Sequence, residues 1–164
     1  MSRYELAQLN IARMIYPLEA PGMADFVEEL DRINALAEVS PGFLWRLQTH
    51  EGDATTLRPM GEDILVNLSV WKDVDALNHY VYKTAHAEIM RRRKEWFERL
   101  RDPAFVLWWV PKGRRPSIVE AQLRLELLRQ RGPTADAFTF NRAFVAPDAV
   151  ALESGFGFND ECPA

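Results

Sequence analysis

"VNLSVWKDVDAL", residues 66–77, decides the fold. It reads as a strand running into a helix, with Asp73 placed to cap the helix that follows. Extended chain turns alternate side chains to opposite faces, so Val66, Leu68 and Val70 form one apolar stripe. The other face carries Leu65, Asn67, Ser69 and Trp71, which is neither aliphatic nor charged. A solvated stripe would carry Lys, Glu or Thr, and a core stripe would carry aliphatics. This face needs a cover that tolerates amides.

The elements on either side follow from period and punctuation. In "ELAQLNIARM" (5–14), Leu9 and Ile11 point one way while Gln8, Asn10 and Ala12 point the other. Pro17, Pro21 and Gly22 break the chain. Met23, Phe26, Val27, Leu30, Ile33, Leu36 and Ala37 then recur at helical spacing. "SPG" ends that helix, "FLWRLQT" (43–49) is a second short strand, and residues 50–61 form a polar loop. Beyond the opening stretch, Thr84 acts as a second cap, so the helix breaks and restarts there. The restarted helix turns Ile89, Trp96, Phe97 and Leu100 inward and Arg91 to Lys94 largely outward. "AFVLWWV" is the fourth strand. Ser117 and Glu120 form a capping box for a helix through Leu123, Leu127 and Leu128, stopped at Gly132-Pro133. "AFTF" (137–140) reads as an edge strand.

The predicted order is β-α-β-β-α-β followed by a helix and an edge strand, an α+β, ferredoxin-like plan spanning residues 1–144. Residues 145–164, with Phe156 and Phe158, read as a C-terminal tail. In that plan both helices of the unit pack on one sheet face, which is given to Leu9, Ile11, Val66, Leu68 and Val70. The face with Gln8, Asn10, Asn67, Ser69 and Trp71 is left over. Soluble monomers rarely expose such a patch, and a buried amide without a partner costs roughly 1–3 kcal/mol. A second sheet enclosing a pocket meets both demands, so the expectation is a homodimer or a self-covered cavity.

Composition narrows the function classes. The chain has 164 residues, 48% hydrophobic and 27% charged, enough for one domain with a real core. A formal net charge of −4 argues against nucleic acid or an anionic membrane as partner. The single cysteine, Cys162, excludes an intrachain disulfide or a cysteine metal site. "MSRYELAQLN" has no apolar signal region, and no run is long enough to span a bilayer, so the cytoplasm is the expected location. Gly-rich phosphate loops, HExxH, GxSxG and the Rossmann fingerprint are all missing.

"ELAQLNIARM", "PGFLWRLQ", "YVYKTAHAEIMRRRKEWF", "LWWVPKGRRPSIVEAQLRL" and "AFTF" together resemble an uncharacterised bacterial domain-of-unknown-function family, over roughly residues 4–147. That family is placed in the dimeric α+β barrel superfamily, near the antibiotic biosynthesis monooxygenases. The resemblance implies a barrel made by two sheets across a dimer. One departure stands out: Arg114 occupies a place where the family commonly has His.

Cofactor-free oxygenases of this superfamily use an Asn-x3-Trp pair on the strand before a helix, with another Asn on the first strand. Asn67, Trp71 and Asn10 match that arrangement. The resemblance therefore implies oxidation of a small aromatic or polyketide-like substrate, with Asn67 and Asn10 holding its oxyanion and Trp71 against its ring. His86 or His79 takes the proton. Gln8, Ser69, Arg46 and one of Trp108 and Trp109 complete the expected pocket, since those two tryptophans point to opposite faces. The alternative is a non-oxidative cyclase, lyase or ligand-binding module of the same shape. Structural roles compete at each position: Asn67 bonding a neighbouring strand, His86 in the first turn of a helix, Arg46 in a rim ion pair. No metal is expected, because His79 and His86 are not at helical ligand spacing and only His50 remains. No cofactor is expected either; haem held by one axial His, as in distant relatives, is the alternative.

Overall fold

The computed structural model describes residues 1–50 and 52–149. Four strands form one antiparallel sheet in the order β2-β3-β1-β4: β1 (Tyr4–Arg13), β2 (Phe43–Arg46), β3 (Ile64–Trp71) and β4 (Phe105–Pro111). The helices are α1 (Ala24–Val39), α2 (Val74–Lys83), α3 (His86–Arg92) and α4 (Ile118–Arg131). The fold is mixed α+β. Asp73 caps α2 by accepting the Ala76 N–H at 2.8 Å, and Ser117 caps α4 by accepting the Glu120 N–H at 3.1 Å. Thr84 ends α2, donating to Tyr80 O at 2.5 Å and accepting the His86 N–H at 3.3 Å. The predicted break is there.

The sheet faces are covered the other way round from the sequence prediction. Leu9, Ile11, Val66, Leu68 and Val70 are buried with Val106, Trp108 and Val110 against Ala121, Leu125 and Leu128 of α4. Leu57 and Met60, from the loop predicted as merely polar, pack onto the same cluster. Helices α1, α2 and α3 cover the face of Gln8, Asn67, Ser69 and Trp71 instead. A helix treated as an appendage thus supplies the cover of the aliphatic stripe, and the chain covers both faces of its own sheet. The need for a partner sheet, drawn from an uncovered face, does not arise.

Three smaller predictions change as well. A bulge between Phe43 and Trp45 leaves Leu44 exposed and breaks the alternation of β2. Phe43 therefore joins Trp71, while Trp45 and Leu47 stay with the aliphatic face. "AFTF" contributes isolated bridges rather than a strand: Phe138 meets Leu107 on the β4 edge, while Ala137 and Thr139 bridge locally to Thr134 and Arg142. A one-turn 3-10 segment, Arg93–Glu95, follows α3. Arg92 there pairs with Asp25 and Glu95 and lies 4.8 Å over the Trp96 ring, so the basic run is not simply solvated. Of the predicted tail, Ala146 is buried and Asp148 accepts from Ser2 Oγ and the Arg3 N–H. Phe156, Phe158 and Cys162 lie outside the described residues.

Candidate functional site

Between the sheet and the layer of α1, α2 and α3 lies a cavity of about 400 Å³. Its floor is built from cross-strand rows. Arg46, Ser69 and Gln8 are consecutive partners in one row, Asn67 and Asn10 face each other in the next, and Phe43, Trp71 and Leu6 form a third. The ends are closed by two apolar clusters. Trp71, Tyr80, Leu77 and Phe43 close one end; Met14, Leu65, Trp96 and Phe26 close the other. Between them α1 stands off the floor, so Phe26, Leu30, Ile33 and Asn34 line the cavity without being buried.

Gln8 organises the polar floor. It is buried, and its Nε2 donates to Asn67 Oδ1 at 2.5 Å, to Ser69 Oγ at 2.8 Å and, more weakly, to Asn67 O at 3.3 Å. Ser69 Oγ also accepts the Trp71 indole N–H at 2.9 Å. With Asn67 Oδ1 and Ser69 Oγ engaged as acceptors, the Asn67 Nδ2 hydrogens and the Ser69 hydroxyl hydrogen are left as donors. Asn67 is exposed, so the cavity is open to solvent there. Trp71 is held in plane by Tyr80, stacked at 5.0 Å and 27°, and by Phe43, edge-on at 5.3 Å.

His86 lies on the wall beside Tyr80, 4.8 Å between ring centroids. Its Nδ1 is 3.2 Å from Val81 O. A carbonyl only accepts, so Nδ1 carries the proton and Nε2 the lone pair. Burial holds the imidazole below its ordinary pKa, against the smaller opposing effect of the Val81 bond. His86 is therefore neutral at neutral pH and able to act as a base. Burial pushes the Tyr80 phenol well above its usual range, with nearby Arg46 opposing, and its hydroxyl donates to Ile33 O at 3.2 Å.

A family described as a domain of unknown function (DUF3291) matches residues 5–154. The chain belongs to the DUF3291 family. No curated protein matches it. A crystal structure of a protein of unknown function from Nitrosomonas europaea is similar at 14% identity and a TM-score of 0.47, covering 70% of this chain and 97% of that one.

In this DUF3291 chain, Gln8, Asn10, Arg46, Asn67, Ser69, Trp71 and His86 come together around one cavity. His79, Trp108 and Trp109 do not. His79 is exposed on α2. Trp108 is buried on the α4 side, where its Nε1 finds no partner among the described residues. Trp109 is on the cavity side of the sheet but beyond the cavity, its Nε1 donating to Phe144 O at 2.9 Å. Arg46 lines the cavity and also pairs with Glu38 at 2.8 Å. Arg114 is far from any such role, exposed and paired with Glu120 at 3.2 Å. Of the three histidines, all among the described residues, only His86 lines the cavity. No cluster among the described residues could hold a metal ion, and no described helix is long and apolar enough to cross a membrane.

Tyr80, Asn34 and Arg93 line the DUF3291 cavity and escaped the sequence prediction. Tyr80 follows Leu77 by three on α2, and Asn34 interrupts the apolar face of α1. Both spacings were visible signals. Arg93 was hidden in a run of four basic residues.

Proposed function

We propose that the cavity binds a small aromatic or polyketide-like molecule and oxidises it without a cofactor. The observation that carries this is the Gln8-centred network, which fixes Asn67 and Ser69 with unused donors at one point of the floor. Asn10, directly opposite Asn67, adds a third amide. Such donors hold a phenolate or enolate oxygen as its charge develops, and Trp71 offers a flat wall for the ring. His86 Nε2 takes a proton from the activated methylene. The resulting carbanion gives its electrons to O2 and a carbon–oxygen bond forms. Loss of water from that peroxide leaves a carbonyl, so CH2 and O2 become C=O and H2O.

A second function is favoured by the exposure of Asn67. An open, wet mouth suits proton transfer and ring closure, so the same base and donors would serve a non-oxidative cyclase or lyase. An oxygen electrode separates the two, with a panel of anthrones and hydroquinones as substrates. Uptake is expected, with Asn67→Ala lowering kcat by about tenfold or more and KM changing less. Substrate consumed without O2 uptake, giving a product of unchanged mass, would replace oxidation by cyclisation. A Soret band in the purified protein would replace both with haem chemistry.

We also propose the ferredoxin-like plan and a homodimer for this chain. The strand order β2-β3-β1-β4, with α1 and α2 on one face, supports the first. The second rests on the resemblance, and since α4 occupies the other face the partner would meet a different surface. Light scattering giving the mass of one chain would remove the dimer.

A further inference from the structure

Arg93 is the cavity-lining arginine whose guanidinium has no partner among the described residues. Its neighbours in the run are accounted for: Arg92 is tied to Asp25 and Glu95, while Arg91 and Lys94 are exposed. Arg46, the other arginine on the wall, is held by Glu38 at 2.8 Å. Arg93 lines the cavity and is half-buried; its backbone is bonded to Met90, Trp96 and Phe97, but its guanidinium makes no ion pair or hydrogen bond with any described residue. The one carboxylate among the lining residues described, Asp53, is engaged locally, its Oδ1 accepting the Thr55 N–H at 2.8 Å and the Thr55 hydroxyl at 2.6 Å. A half-buried guanidinium in a cavity also lined by Phe97 and Met90, with no ion-pair partner among the described residues, suits an anion.

We propose that Arg93 is the anion grip of the cavity, and that the molecule bound there is a carboxylate with an apolar body. The position suits this. Arg93 follows α3 at the Trp96 end of the floor, away from the Trp71 and Tyr80 end where the ring wall lies. A planar fork meets a carboxylate with two parallel hydrogen bonds, which a neutral amide or ester cannot match. The proposal rests on the cavity being a small-molecule site, as in the function above, but not on the oxidation.

The test uses two probes of one shape, 2-naphthoate and 2-naphthamide, titrated into the intact protein at neutral pH and followed by tryptophan fluorescence and calorimetry. The expected result is binding of the acid at least about tenfold tighter than the amide, a preference lost in Arg93→Leu and partly kept in Arg93→Lys. Equal binding of the two probes to the native protein overturns the role of Arg93 while leaving the cavity a binding site, and this comparison needs no variant to fold. A preference that survives unchanged in a folded Arg93→Leu overturns it too. Binding of neither probe overturns the small-molecule site together with the anion grip.

Discussion

Ser69 Oγ accepts two hydrogen bonds, from Gln8 and from the Trp71 indole, at a position shielded from water. In Ser69→Ala the indole N–H loses its partner while still buried, which costs roughly 1–3 kcal/mol. Urea denaturation should show that loss, and Trp71 fluorescence should shift in the native baseline. His86 supplies a prediction with a sign. Its folded pKa is held below the ordinary 6.5 by burial, so below pH 6.5 the unfolded chain binds protons that the folded one resists. Stability therefore falls as pH drops through 6.5 towards the folded value and is unaffected by this group above it. Urea midpoints between about pH 7.5 and 5.5 should decline in the native protein and decline less in His86→Gln.

Among the elements, α4 carries the change from the predicted plan. Its cap at Ser117 starts it, the Glu120 carboxylate pairs outward with Arg114 and Arg124 instead of closing the predicted box, and Ala121, Leu125 and Leu128 descend onto the sheet. Leu125 is 1% exposed in that cluster. Leu125→Ala should cost about 2–5 kcal/mol, the range for emptying a packed core position, measured as a lower urea midpoint with an unchanged slope. An α4 that were only an appendage would give almost no change. The entry to β2 is held just as closely. Gly42 has φ +85°, its O accepts the Lys72 N–H at 2.7 Å, and a Cβ there would meet Ala76 Cβ at 2.5 Å. Both the turn and the approach of α2 need glycine at this point.

Across the whole molecule, the central strands and the cavity mouth differ in how they are held. β1 is bonded on both sides, to β3 and β4, and its faces are covered by α4 on one side and by the α1–α3 layer on the other. Residues 52–61 are held by short-range turns, such as Gly52 N to Thr49 O and Leu57 N to Ala54 O, and by Leu57 and Met60. Amide exchange of Leu6 to Ile11 should therefore require global unfolding, while the loop exchanges through local opening many-fold faster. Hydrogen–deuterium exchange read by mass spectrometry checks this, and equal protection of the two segments would show the loop to be part of the cooperative core.

Much of this was legible in the chain, because local rules act over a few residues. The alternation in 5–14 and 64–71, the caps at Asp73 and Ser117, and the break at Thr84 are set by side chains next to the backbone they serve. Alternation also gathered Gln8, Asn10, Asn67, Ser69 and Trp71 on one face before any neighbour was known. Alternation says that two residues share a face, however, and not what lies over it. Which helices cover which face is a contest between apolar surfaces distant in sequence, and α4 with the 50–61 loop took the aliphatic one. Only the tertiary structure could place a cavity beneath α1, seat His86 beside Tyr80, and single out Arg93 from a basic run. Those arrangements depend on packing between elements, which no local period encodes.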